Sequence, residues 1–161
     1  MLDCRSYAHH HQRVPVVVNS ISEKAISEQS FVRILVVEDF ADWRSYIAEK
    51  LREIRRLTVI HFAVDGLEAV RKAAELEPDL ILMDIGLPSL SGIEAARKIR
   101  KLVPESKVIF VTAETSASVA EEALRLGAAG YVLKTAVDRD LLDAVEAVMS
   151  GRRFVSRDLC E

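Results

Sequence analysis

A chain of 161 residues, 50% apolar and 29% charged, is long enough for one soluble domain with a sizeable core and little else. Its net charge of −3 gives no general attraction for nucleic acid, so no direct nucleic-acid binding by this chain is expected. No apolar run approaches the length that spans a bilayer, and no charged-then-apolar signal opens the chain. Cys4 and Cys160 sit at opposite ends and make no disulfide framework, so the expected setting is the cytoplasm, away from membranes.

Residues 1–30 read as an N-terminal extension, poorly ordered and bland. They hold His9, His10 and His11, a valine-rich patch around Pro15, and then a polar stretch. A histidine run can bind metal, but without a partner cluster the signal is weak.

From residue 31 the pattern becomes regular. Residues 34–37, 80–83 and 108–111 are short continuous apolar runs rich in branched side chains, as strands buried on both faces of a parallel sheet require. Residues 57–63 are interrupted by Thr58 and His61, as an edge strand allows, and residues 131–133 make a short final strand. Helical stripes lie between them: Trp43, Ile47, Leu51 and Ile54; Leu67, Val70 and Ala74; Ile93, Ala96, Ile99 and Val103; Val119, Ala123 and Leu126; and Leu141, Leu142, Val145, Val148 and Met149. Pro78 stops the second helix at Glu77, and Gly127 and Gly151 are placed as C-terminal caps.

Five strands alternating with five helices over residues 31–152 predict a doubly wound α/β fold with a parallel sheet. Residues 153–161 read as the start of a linker or a tail. In such folds the ligand site lies beyond the carboxyl ends of the strands. Glu38 and Asp39 follow the first strand, Asp84 the third, Thr112 the fourth and Lys134 the fifth.

Each of these has an ordinary reading as well. Asp39 could cap the first helix, Asp84 could accept hydrogen bonds from its own turn, and Thr112 and Lys134 could be plain strand-end and loop residues. Taken jointly they form a chemical set. Clustered carboxylates need a neutralising cation, and oxygen ligands with open positions suit Mg²⁺. A carboxylate can attack a phosphoryl group, whose spread negative charge an ammonium and a hydroxyl then stabilise.

The motifs ILVVEDF, LILMDIGLPSLSG, VIFVTAE and GAAGYVLKT resemble those of the receiver domain of bacterial two-component response regulators, over residues 31–152. The resemblance implies a flavodoxin-like sheet of order 2-1-3-4-5. It implies Asp84 as phosphoacceptor, and Mg²⁺ (or Mn²⁺) held by Glu38, Asp39, Asp84 and the backbone carbonyl of Gly86. It also implies Thr112 and Lys134 as phosphate-sensing residues, Tyr131 as the switch aromatic, and Pro88 and Gly92 as shapers of the following loop. The implied partner is a histidine kinase. A homodimer through the fourth helix, fifth strand and fifth helix, or through the first and fifth helices, is also implied.

The ending GRRFVSRDL is similar to the point where the NarL/FixJ class runs into a LuxR-type DNA-binding domain, which implies regulation of transcription through such a domain. Two other readings stay open: a stand-alone or phosphorylation-independent receiver acting as an interaction module, and a hydrolase with a strand-end aspartate nucleophile. The hydrolase reading wants a second aspartate two residues on, where this chain has Gly86.

Two departures from the family pattern carry expectations. Thr135, not proline, follows Lys134, and a non-proline cis bond costs about 2.5–4 kcal/mol, so an ordinary trans peptide is expected there. Gly86 offers no shield to an acyl phosphate and Glu114 could orient water, so the phosphorylated state is expected to decay readily.

Overall fold

The computed structural model describes residues 30–159. The run of His9, His10 and His11, the apolar patch around Pro15, and both cysteines lie outside the described residues.

Strands β1 (Val32–Val37), β2 (Leu57–Ala63), β3 (Leu80–Met83), β4 (Lys107–Thr112) and β5 (Gly130–Leu133) alternate with five helices. The helices are α1 (Ala41–Leu51), α2 (Gly66–Leu76), α3 (Gly92–Leu102), α4 (Ala117–Arg125) and α5 (Val137–Met149). A short strand, β6 (Phe154–Val155), follows α5. All six strands pair in parallel in the order β2-β1-β3-β4-β5-β6. The chain reverses its winding direction between β1 and β3, which opens a crevice at the carboxyl ends of those two strands.

The continuous apolar runs are explained by burial on both faces. Ile34 and Val36 of β1, Leu80 and Leu82 of β3, and Ile109 and Val111 of β4 pack with side chains of α1 and α5. Their alternates Leu35, Val37, Ile81, Met83 and Phe110 pack with α2, α3 and α4. Each fully buried branched side chain contributes about 1.5–3 kcal/mol, so the central strands are the main apolar anchor. Pro78 ends α2 as expected, with Glu77 in the left-handed region at φ 45°. Gly127, at φ 102°, closes α4 by letting Ala128 N–H reach back to the carbonyl of Ala123 at 3.1 Å. Gly92 is required by close approach: a Cβ there would lie 2.0 Å from the Asp84 carbonyl oxygen.

Three details differ from expectation. The sheet has six strands, not five, because Phe154 and Val155 add to β5 within the segment read as linker or tail. Two residues are too few to show a strand period, so only the burial of Phe154 at 2% exposure reveals them. The helix faces are also rotated relative to the largest side chains. α2 turns Gly66, Ala69 and Ala73 inward and leaves Leu67 58% exposed, and α4 buries Ala120, Ala123 and Leu124 while Val119 is only partly covered. Small residues let both helices lie close on the sheet. α1 ends at Leu51, so Ile54 packs from the following turn.

If β6 belongs to the core, Phe154→Ala should cost about 3–5 kcal/mol in urea unfolding, the usual loss for emptying a phenylalanine site. A loss below about 0.5 kcal/mol, typical of a surface position, would mean the strand is not part of the fold.

Candidate functional site

The strand ends bring the acidic and basic residues into one crevice. β1 stops at Val37 and delivers Glu38 and Asp39, β3 delivers Asp84, β4 ends on Thr112, and Lys134 follows β5 in a single 3-10 turn spanning Lys134–Ala136. No cis peptide occurs among the described residues, so the Lys134–Thr135 bond is trans as expected.

Glu38 is 2% exposed, and its Oε1 accepts the N–H of Phe40 at 3.0 Å. Its Oε2 is ion-paired with Lys134 Nζ at 2.6 Å. Lys134 Nζ also donates to Asp84 Oδ2 at 2.9 Å. Burial pushes the Glu38 carboxyl upward against the pull of Lys134. Burial would lower the lysine, but Glu38 and Asp84 outweigh it and hold the ammonium above its ordinary range. Lys134 is therefore a fixed cation between two carboxylates. Its charge also lies 5.1 Å from the centre of the Trp43 ring, a further attraction of about 0.5–1 kcal/mol.

Glu38, Asp39 and Asp84 each present a carboxylate oxygen within 4.8 Å of the others. One lysine cannot balance three such charges at this spacing. Three clustered carboxylates sharing one ammonium, with Asp39 exposed, are what a hard divalent cation with partly open coordination uses. The residues present thus fit Mg²⁺. Asp39 does not cap α1, whose N-cap residue is Phe40 without a side-chain bond, and that removes the ordinary reading of Asp39. Asp84 does accept the Gly86 N–H, at a long 3.4 Å, so its turn contact accompanies the lysine pair.

Thr112 is buried, and its Oγ1 accepts the Glu114 N–H at 3.2 Å. Tyr131 lies on the same side, fully buried, with its ring 6.3 Å from that of Phe110 and its hydroxyl donating to the Glu114 carbonyl at 2.9 Å. Burial first, then the charges of Glu114 and Asp84, push the phenol upward and keep it a donor. The Glu114 carboxylate accepts the Ser116 N–H at 2.7 Å, just before α4. Thr112, Glu114 and Tyr131 thus join β4, β5 and the start of α4.

One contributor escaped the sequence reading. Arg44 donates to the carbonyls of both Glu38 and Asp39 at 2.9 Å, fixing the loop that carries them. Its position in the first turn of a helix after an acidic pair was the available signal. Trp43, expected near the acidic pair, walls the crevice beside Lys134. Mg²⁺ at roughly millimolar concentration should change Trp43 fluorescence, and Asp39→Ala should weaken that response by about tenfold or more. A Trp43 signal indifferent to Mg²⁺ would mean that the acidic cluster is only a solvated edge.

The response regulator receiver domain model matches residues 34–146. The chain is similar to Response regulator GacA of Pseudomonas viridiflava, 36% identical over 81% of this chain and 61% of that protein. It is also similar to Response regulator UvrY of Escherichia coli K12, 31% identical over 81% of this chain and 60% of that protein. It thus spans about three fifths of the length of the curated relatives it matches. A crystal structure of a LuxR-family two-component response regulator from Aurantimonas sp. SI85-9A1 superposes with a TM-score of 0.78 at 34% identity. That match covers 81% of this chain and 94% of the other. With the strand order, the acidic cluster and the family match in agreement, this chain belongs to the response regulator receiver domains, in their LuxR-type class.

Proposed function

We propose that this chain is the phosphoryl-accepting switch of a two-component pathway, taking its phosphoryl group from a histidine kinase onto Asp84. The observation that carries the reading is the convergence of Lys134 on Asp84 at 2.9 Å, inside a crevice that also gathers Glu38 and Asp39. An Asp84 carboxylate oxygen attacks phosphorus. The phosphorus–nitrogen bond to the kinase histidine breaks, its electron pair stays on nitrogen, and that nitrogen takes up a proton.

Glu38, Asp39, Asp84 and the backbone carbonyl of Gly86 would hold Mg²⁺ (or Mn²⁺), which when bound neutralises phosphate charge. Lys134 exchanges part of its pairing with Asp84 for a phosphate oxygen. Thr112 has a hydroxyl proton to donate to a second oxygen. Because Thr112 Oγ1 and the Tyr131 hydroxyl both bond the Glu114 backbone, a moving threonine pulls the start of α4. Phosphorylation then biases two arrangements of the α4, β5 and α5 face. That face, or the face of α1 and α5, is where a second copy would dock.

Fusion to a LuxR-type DNA-binding domain would make the output transcriptional, in the cytoplasm; no helix among the described residues is long and apolar enough to cross a membrane. The chain assists its own phosphorylation and dephosphorylation and turns over no other substrate. Gly86 is exposed and open, with no carboxyl to act as the second acid of a hydrolase.

Acetyl phosphate with Mg²⁺ should label the native chain, and Asp84→Asn should reduce labelling to background while the thermal transition persists. Undiminished labelling of the variant would remove Asp84 from the role. The label should also decay readily, since Gly86 offers it no cover. A half-life of many hours would contradict that expectation.

A further inference from the structure

Backbone pairing between β5 and β6 ends early. Gly130 pairs with Phe154 and Tyr131 with Val155, and the Ser156 N–H then donates to the Tyr131 carbonyl at 2.9 Å. Beyond that the chain turns away into the 3-10 turn Arg157–Leu159, and a bare backbone would leave the next β5 donor, Leu133 N–H, without a partner on this side. The Ser156 side chain supplies the missing rung. Its Oγ accepts Leu133 N–H at 3.0 Å and donates to Asp140 Oδ2 of α5 at 2.8 Å.

Ser156 is fully buried and Asp140 is 5% exposed. Arg139 holds Asp140 through two hydrogen bonds of 2.8 and 3.1 Å and extends to Asp158 at 3.2 Å. Leu133 immediately precedes Lys134, whose ammonium reaches Asp84. The same segment contacts the end of α4, where Arg153 donates to the Leu124 carbonyl at 3.2 Å. A buried hydroxyl with both bonds made resists displacement of either neighbour, because moving one strands a polar group away from water.

Resting on the reading of Asp84 as phosphoacceptor, we infer that Ser156, braced by Asp140, is a positioning residue for phosphoryl transfer. It holds the end of β5 so that Lys134 reaches Asp84. Docking of the segment after α5 and phosphorylation of Asp84 are therefore coupled, and coupling runs both ways.

Two measurements on the full chain test this. In Ser156→Ala, held well below its unfolding temperature, the saturating rate of labelling by acetyl phosphate should fall roughly tenfold, the scale of a small misplacement of a catalytic group. The Mg²⁺ midpoint read from Trp43 should shift as well, because Lys134 shares Glu38 and Asp84 with the acidic cluster. A folded Ser156→Ala that labels at the native rate would overturn the positioning role.

Independently, amide exchange at Leu133 and Ser156 in the native chain should change several-fold on acetyl phosphate loading, and should not change in Asp84→Asn. Native chain that takes the label without any change at those amides would overturn the coupling. Native chain that takes no label at all would overturn the phosphoacceptor reading and this inference with it.

Discussion

Everything at the strand ends depends on one buried cation. Lys134 Nζ lies between Glu38 at 2.6 Å and Asp84 at 2.9 Å, and without it three carboxylates within 4.8 Å of one another would be pushed apart or protonated. The pairing does not discharge the cluster. One ammonium serves both Glu38 and Asp84, and Asp39 faces solvent with no positive side-chain partner among the described residues. A cluster left one cation short and open on one side fits a divalent ion. Removing the lysine would leave a buried glutamate uncompensated, a change that costs more than the ion pair itself contributes.

The fold exists to hold that cation in place. β1 and β3 are adjacent although α1, β2 and α2 separate them in sequence, so Glu38, Asp39 and Asp84 arrive side by side from distant parts of the chain. Lys134 comes from two strands further along the sheet, and its long stem spans the gap. Arg44 fixes the β1 loop from α1, Gly92 lets α3 start against the Asp84 carbonyl, and Ser156 fixes β5 from the far edge. At the end of β4, the Glu114 backbone serves both Thr112 and Tyr131.

Much of this was legible in the sequence because its causes are local. Continuous apolar runs marked the central strands, Pro78 and Gly127 marked helix ends, and the acidic, hydroxyl and amine residues stood directly after those runs. What was not legible depends on tertiary packing. The inward faces of α2 and α4 use alanines rather than the larger Leu67 and Val119, because close helix–sheet approach outweighs side-chain size. The two-residue β6 carries no period of its own, and its membership in the sheet follows from Phe154 burial and the Ser156 rung. Arg44 acts through backbone carbonyls, so its place in the first turn after the acidic pair shows where it lies but not what it holds.

Chemical mapping of the phosphoryl group tests the central claim most directly. Chain loaded with acetyl phosphate and Mg²⁺ is reduced with borohydride, which converts an acyl phosphate to an alcohol, and the peptides are then weighed. The account predicts a single homoserine, at position 84. Reduced product at Glu38 or Asp39, or phosphate that survives reduction because it is carried on a hydroxyl, would contradict it.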